Sequence, residues 1–263
     1  MIPPDIRIEI MKRLAATEKE ENVRILLAIE SGSRAWGFAS PNSDYDVRFI
    51  YAHPESWYFA VDLEERRDVI EYAITDDIDL NGWDIRKALQ LFYKSNPAFV
   101  EWIQSPIKYI EVGSFAEGAR QLLTDVYSQE SGIYHYRSMA KSNRNRYLRA
   151  EMVPLKKYFY VLRPLLACRW IEKYNSAAPI EFEKLLHLIG DQSELLLAID
   201  LLLAKKRDAP EMGLAEHVLI INEFIEKELL RLEVLNPQNL PRDESKPALN
   251  DLLKTVLRES ISC

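Results

Sequence analysis

The stretch that decides the fold is Glu30-Ser31-Gly32-Ser33-Arg34-Ala35-Trp36-Gly37-Phe38-Ala39-Ser40-Pro41-Asn42-Ser43-Asp44-Tyr45-Asp46-Val47-Arg48. It lies between two apolar runs, residues 23–29 before it and residues 47–51 at its end. The first run has apolar residues at both parities, the pattern of a central strand buried on both faces. If the second run is also a strand, Asp44 and Asp46 lie on one side of it, because strand side chains alternate. Two carboxylates at the start of a strand, beside a Gly-Ser turn, can hold a divalent metal against a phosphate.

Outward from that stretch, the rest of the first half reads as mixed α/β. A helix is expected over residues 6–21, with Ile6, Ile10, Leu14 and Ala15 on its buried face. A short helix is expected at 34–38, and further strands at 57–61, 69–74 and 78–80, the last closed by an Asn81-Gly82 turn. Ile85, Ala88, Leu89 and Phe92 fall at i, i+3, i+4, i+7 of a helix. Asn96 and Pro97 read as N-cap and first residue of another helix, which Ser105-Pro106 ends.

Beyond Val112 the strand signal stops, and helices are expected over 114–127, 133–151, 155–174, 180–189, 194–206 and 214–232. Residues 236–247 contain three prolines and read as a loop before a last helix from about 248. The expected organisation is an α/β portion, residues 1–112, followed by an α-helical portion, residues 113–263.

Composition narrows the class. At 263 residues, 48% hydrophobic and 29% charged, the chain can bury a substantial core. Its two cysteines, Cys168 and Cys263, exclude a disulfide framework or a cysteine zinc site and suit a reducing compartment. The start has no basic segment followed by an apolar core, and the most apolar run, residues 195–203, is too short to span a bilayer. A cytoplasmic protein with no membrane association is expected. The net charge of −7 hides a basic block: residues 137–173 hold ten Lys and Arg against Glu151 and Glu172, net +8, which leaves −15 elsewhere. Such a block points to a local polyanion site, a triphosphate or a nucleic-acid backbone.

A chemistry this pattern would suit is nucleotidyl transfer, which depends on positioning and charge neutralisation. Asp44 and Asp46 supply the carboxylate pair, Gly32 lets backbone approach the phosphates, and Ser33 adds a hydroxyl and N–H at a helix start. A plain turn at Pro41-Asn42-Ser43-Asp44 is the bland alternative. The combination of strand, Gly-Ser, eleven residues from Ser33 to Asp44 and a second strand is more specific than Asp-x-Asp alone.

Gly32-Ser33-Arg34-Ala35-x-Gly37 followed by Ser43-Asp44-x-Asp46 resembles the signature of the polymerase-β-like nucleotidyltransferase superfamily. Gly82-Trp83-Asp84-x-Arg86-Lys87-Ala88-Leu89, Asn96-Pro97, Glu101-Trp102, Ser105-Pro106 and Lys156-Lys157-Tyr158-x-Tyr160-x-Leu162-Arg163 resemble its RNA-ligase-associated (RlaP-like) branch. The similarity runs from about residue 23 to 179. It implies an α+β fold, a polymerase-β-like α/β domain followed by an α-helical domain, with nucleotide in the cleft between them. It also implies magnesium, two ions, with an NTP as substrate and Ser43 among the nucleotide-binding residues.

The superfamily's third carboxylate, on a neighbouring strand, would activate the attacking hydroxyl and help hold one metal. Asp76, Asp77, Asp79 and Asp84 are candidates. Asp79 is favoured because a carboxylate inside Ile78-Asp79-Leu80 should face a polar site, whereas Asp84 suits a helix N-terminus. Catalysis and metal binding are thus assigned to Asp44, Asp46 and Asp79.

Arg34 could contact triphosphate oxygens, and Arg48, on the strand face of Asp46, could pair with a carboxylate. Lys156, Tyr160 and Arg163 fall at i, i+4, i+7, with Lys157 adjoining. Lys157 and Arg163 are read as a phosphate clamp and Tyr160 as packing near base or sugar; a solvated basic face is the bland alternative. On the preceding helix Arg137, Lys141 and Arg144, with Tyr134 or Tyr147, could meet nucleic acid. The expected activity moves a nucleoside monophosphate from an NTP to an acceptor hydroxyl, an RNA end, in repair or processing beside an RNA ligase. Protein or small-molecule modification, or a non-catalytic nucleotide- or RNA-binding module, are the competing readings. The preferred NTP and the oligomeric state are open.

Overall fold

Helix α1 (Pro4–Glu21) leads into strand β1 (Arg24–Glu30), the single turn α2 (Gly32–Ala35) and strand β2 (Tyr45–Ala52). These come from a computed structural model, which describes residues 2–208, 213–234 and 243–259. Strands β3 (Val69–Glu71) and β4 (Ile78–Asp84), helices α3 (Ile85–Tyr93) and α4 (Pro97–Gln104), and strand β5 (Lys108–Glu111) complete the first half. The sheet order is β3-β4-β2-β1-β5. β2 and β4 run parallel; the other neighbouring pairs are antiparallel.

The run at 23–29 reads as an internal strand because it is one. Ile25 and Ala28 of β1 join α1 residues Ile10 and Leu14 in one cluster, while Leu26, Leu27 and Ile29 face the other, with Ile50, Ile85 and Phe92. Thr17, not Ala15, extends the buried face of α1. The second cluster continues from the sheet through Phe99 and Phe115 to Phe159, Leu165 and Ile199, so sheet and helices share apolar packing.

The remaining elements are α5 (Phe115–Gln121), α6 (Leu123–Val126), α7 (Gln129–Tyr147), β6 (Met152–Pro154), α8 (Leu155–Tyr174), α9 (Glu183–Leu186), α10 (Ser193–Asp208), β7 (Leu214–Glu216), α11 (Leu219–Val234) and α12 (Lys246–Glu259). The α+β architecture read from the sequence is therefore present. Residues 236–242 of the expected loop, and Cys263, lie outside the described residues.

Several local expectations fail for identifiable reasons. Residues 55–59 form a 3-10 turn, not a strand, and Phe59 and Val61 of the expected run are exposed. β3 stops at Glu71, short of 74. Asn81-Gly82 is no turn: β4 passes through it to Asp84. A Cβ at Gly82 would lie 2.2 Å from the Phe49 ring, so the glycine makes room for a neighbouring strand's aromatic. The expected helix at 214 begins as β7, which pairs with β6 in a small second sheet, so strands do occur beyond 112. The caps hold: Asp84 accepts from the Arg86 N–H at 2.8 Å, and Asn96 from Ala98 and Phe99 at 3.0 and 3.3 Å.

Candidate active site

Parallel pairing of β2 with β4 sets Asp46 opposite Asp79. Both carboxylates are partly exposed, with 29% and 27% of the side chain open. Arg48 sits between them: Nη2 donates to Asp79 Oδ2 at 2.7 Å and reaches Asp46 Oδ1 at 3.4 Å. Its Nη1 donates to the Asp79 carbonyl at 2.9 Å, fixing the guanidinium to β4. The salt bridge suggested for Arg48 thus joins the two favoured acids.

Gly32 backs this pair. Its φ is +59°, and a Cβ there would lie 2.0 Å from Asp46 Oδ2. Only glycine lets the turn approach the carboxylate so closely in that conformation. The Ser31 N–H and hydroxyl both donate to the Asp46 carbonyl, at 2.8 and 3.1 Å, tying the turn to the start of β2. Ser33 is buried in α2. That helix is one turn long, so it offers little of the dipole expected behind an anion site.

Asp44 is exposed, two residues before Asp46. Arg34 presents it: Nη2 donates to the Ser43 carbonyl at 2.6 Å and Nε to the Asp44 carbonyl at 3.2 Å, with the guanidinium 4.0 Å from the Tyr45 ring centre. Arg34, read from the sequence as a triphosphate contact, is in the fold the brace of the acidic loop. Ser43 is buried, its hydroxyl accepting from the Ser40 N–H at 3.0 Å and lying 2.9 Å from the Ser40 hydroxyl. It shapes the turn.

Beneath the pair lies a carboxylate to which sequence reasoning gave no role. Glu30, at the end of β1, is fully buried. Its Oε1 accepts from the Asp46 N–H at 3.0 Å and Oε2 from the Tyr109 hydroxyl at 2.7 Å. Burial pushes its carboxyl up to about 7, against the hydrogen bonds from Tyr109 and Asp46. Burial likewise raises Asp46; Arg48 opposes this and the charges of Asp79 and Asp44 add to it. Its position within the quoted motif, flanking Ser31-Gly32, was the one available signal.

The helical side contributes α8. Lys156 lies close enough to act on Asp46 electrostatically. The Lys157 ammonium is 4.1 Å from the Tyr147 ring centre and 4.5 Å from that of Tyr160. Tyr160 meets Trp36 edge-on, centroids 5.2 Å apart, and Trp36 directly follows α2. Lys157 and Tyr160 are thus linked through Trp36 to the turn that carries Gly32.

Arg163 is not on an open basic face. It is 1% exposed, donates from Nη1 to Glu101 at 2.8 Å and from Nε to the Ile180 carbonyl at 3.1 Å, and lies 4.8 Å from the Trp36 ring centre. A guanidinium so enclosed serves as the buried mate of Glu101, which also accepts from Trp36 Nε1 and the Tyr136 hydroxyl. The geometry gives it no route to a phosphate. Arg137, Lys141 and Arg144 are spent on α11: Arg137 donates to the Leu232 carbonyl, Lys141 pairs with Glu233 and Arg144 with Glu226.

Among the described residues, no group of three or more His, Cys, Asp and Glu is gathered as a metal cage. Magnesium does not require one: it takes one or two carboxylates and completes its shell with water and substrate phosphate. Asp44 and Asp46 form such a hard-oxygen pair, with Asp79 in electrostatic range of Asp46 and already engaged by Arg48. The donor set fits a divalent ion whose remaining ligands come from a triphosphate.

A sequence model described as RlaP, RNA repair pathway DNA polymerase beta family, matches residues 6–256. The uncharacterized protein YcgL of Bacillus subtilis strain 168 is 43% identical over 251 residues, 95% of this chain and 96% of that protein. The crystal structure of a nucleotidyltransferase-like protein from Exiguobacterium sibiricum 255-15 aligns over 95% of this chain and 80% of its own, at 13% identity and a TM-score of 0.32.

Proposed function

Because the chain belongs to the RlaP family, the RNA repair pathway DNA polymerase beta family, we propose that it moves a nucleoside monophosphate from an NTP to the hydroxyl of an RNA end. The observation that carries this is the facing of Asp46 and Asp79 across parallel strands, with Gly32 closed against Asp46. Residues 1–112 would form the transferase portion and residues 113–263 the helical wall, with the nucleotide between the Gly32 turn and α8.

Each side chain has a task. Glu30 fixes the Asp46 N–H and Arg34 holds the Asp44 loop, so the two acids keep their spacing as substrate enters. Arg48 pairs with Asp79 and holds its carboxylate beside Asp46. Asp79 then accepts the proton of the acceptor hydroxyl as its oxygen attacks the α-phosphorus; the α–β phosphoanhydride bond breaks and pyrophosphate leaves. Two magnesium ions held by Asp44, Asp46 and Asp79 would supply charge neutralisation for the triphosphate and acidify the hydroxyl. Lys157 faces the phosphates and Tyr160 packs by the base or sugar. A completed RNA end is what a ligase consumes, so an RNA ligase is the partner this activity calls for, in the cytoplasm. No helix among the described residues is long and apolar enough to cross a membrane.

The test is to incubate the protein with α-labelled NTPs, magnesium and short RNAs or cell extract. Label should appear on RNA and vanish with Asp46→Asn in a folded protein. Label on a protein or small molecule would keep the transferase and replace the acceptor. No Asp46-dependent label on any acceptor would refute the proposal.

A further inference from the structure

The basic block is not uniformly available. Arg137, Lys141 and Arg144 are taken by α11, Arg163 by Glu101 and Arg169 by Glu228. Where α7 ends and α8 begins, the pattern changes. Arg146 and Arg149 are exposed and Lys157 half-buried, and among the described residues none of the three makes an ion pair.

What holds them is aromatic or neutral. The Arg146 guanidinium lies 5.2 Å from the Tyr147 ring centre, Lys157 lies 4.1 Å from the same ring, and Arg149 donates to Asn145 Oδ1 at 3.2 Å. A ring orients a cation without cancelling its charge, and leaves its N–H donors for another acceptor. The three positive charges therefore remain as a fixed patch. Lys157 connects that patch through Tyr160 and Trp36 to the turn carrying Gly32.

We propose that Arg146, Tyr147, Arg149 and Lys157 form the docking surface for the phosphate backbone of a single-stranded polynucleotide, the acceptor, as it enters the site. This rests on the transferase reading above. A single strand is favoured over a duplex because the patch is short, its three cations lying between residues 146 and 157, while the chain carries −7 overall. A duplex needs a long basic track. A single strand needs a few phosphate contacts and one aromatic platform.

The experiment measures binding of a fluorescein-labelled ten-nucleotide RNA to the full chain by anisotropy, without NTP or magnesium, with ATP affinity measured separately. Three phosphate contacts predict a roughly twentyfold loss of wild-type affinity between 50 and 200 mM salt. The double variant Arg146→Glu/Arg149→Glu should weaken RNA binding at least roughly tenfold and flatten that dependence, with ATP affinity kept. Tyr147→Ala should weaken it roughly fivefold or more. Lys141→Gln, in an exposed ion pair one face away, should change nothing.

Unchanged RNA affinity in the double variant would overturn the proposal. So would equal binding of a duplex of the same length, an equal loss with Lys141→Gln, or a parallel loss of ATP affinity, which would make the patch a triphosphate site. Urea melts of each variant keep a folding defect from passing as lost binding. Failure of nucleotide transfer with RNA binding intact would sink the transferase reading and leave this surface standing.

Discussion

Glu30→Gln should make the protein more stable, and more so as the pH rises. Glu30 is fully buried, and its carboxyl titrates near 7 in the fold against 4.5 in an open chain. Between those values the folded state holds a proton that the unfolded state has lost. Stability contributed at this position is therefore complete below pH 4.5, falls as pH rises toward 7, and levels off above it. The gap between the two pKa values, about 2.5, amounts to about 3 kcal/mol at about 1.36 kcal/mol for each. Glutamine removes the ionisation and can keep both hydrogen bonds: Oε1 still accepts from Asp46, and the Tyr109 hydroxyl turns to accept from the amide. The advantage of the variant should grow by about 2.5 kcal/mol from pH 5 to pH 8, read by urea unfolding followed by tryptophan fluorescence. A difference between variant and wild type that does not change with pH would refute the argument, because Glu30 would then titrate as an open carboxylate.

Three further perturbations follow from the same geometry. Gly32→Ala meets a positive φ and a Cβ 2.0 Å from Asp46 Oδ2; it should cost about 1–2 kcal/mol of stability and roughly a hundredfold in transfer rate, checked by melts and by the labelled-NTP assay. Gly82→Ala, 2.2 Å from the Phe49 ring, should cost about 1–3 kcal/mol, and Phe49→Leu in the same chain should recover part of it in a double-mutant cycle. Arg163→Met leaves Glu101 buried without its guanidinium and should cost about 3–5 kcal/mol; adding Glu101→Leu should lower that cost, measured by urea unfolding.

What could be read from the sequence was set by neighbours along the chain. β1 announces itself because Ile25 to Ile29 are apolar at both parities, and α3 because four apolar residues fall on one face. The Asn96-Pro97 cap is likewise local chemistry, settled within three residues. The misreadings at 57–61 and 81–82 have the opposite character. Trp57, Tyr58 and Phe59 carry strand-forming side chains, yet Pro54 opens a 3-10 turn there and nothing in the sheet pairs with it. Asn81-Gly82 has the composition of a turn, but its glycine answers to Phe49, on another strand.

The acidic turn was legible because its parts lie within one stretch, and what joins them is backbone. The basic side was less so, because charge is cancelled across elements that sequence does not bring together. Arg144 meets Glu226 82 positions away, and Arg163 meets Glu101 62 positions away. Yet Arg163 carried a warning of its own. Tyr158, Phe159, Val161, Leu162, Leu165 and Leu166 surround it on every side of α8, and all are buried. A helix apolar all round has no solvent face on which a stripe can lie. A charge at its centre has to be neutralised from inside. The matching acid had to sit in a second apolar helix, and Glu101, between Val100 and Trp102 of α4, stands in one. The i, i+4, i+7 spacing from Lys156 therefore describes a face only for as long as the helix has one, which ends before Arg163. Lys157, in the first turn of α8 and beside Tyr147 at the end of α7, is where solvent can still reach a cation.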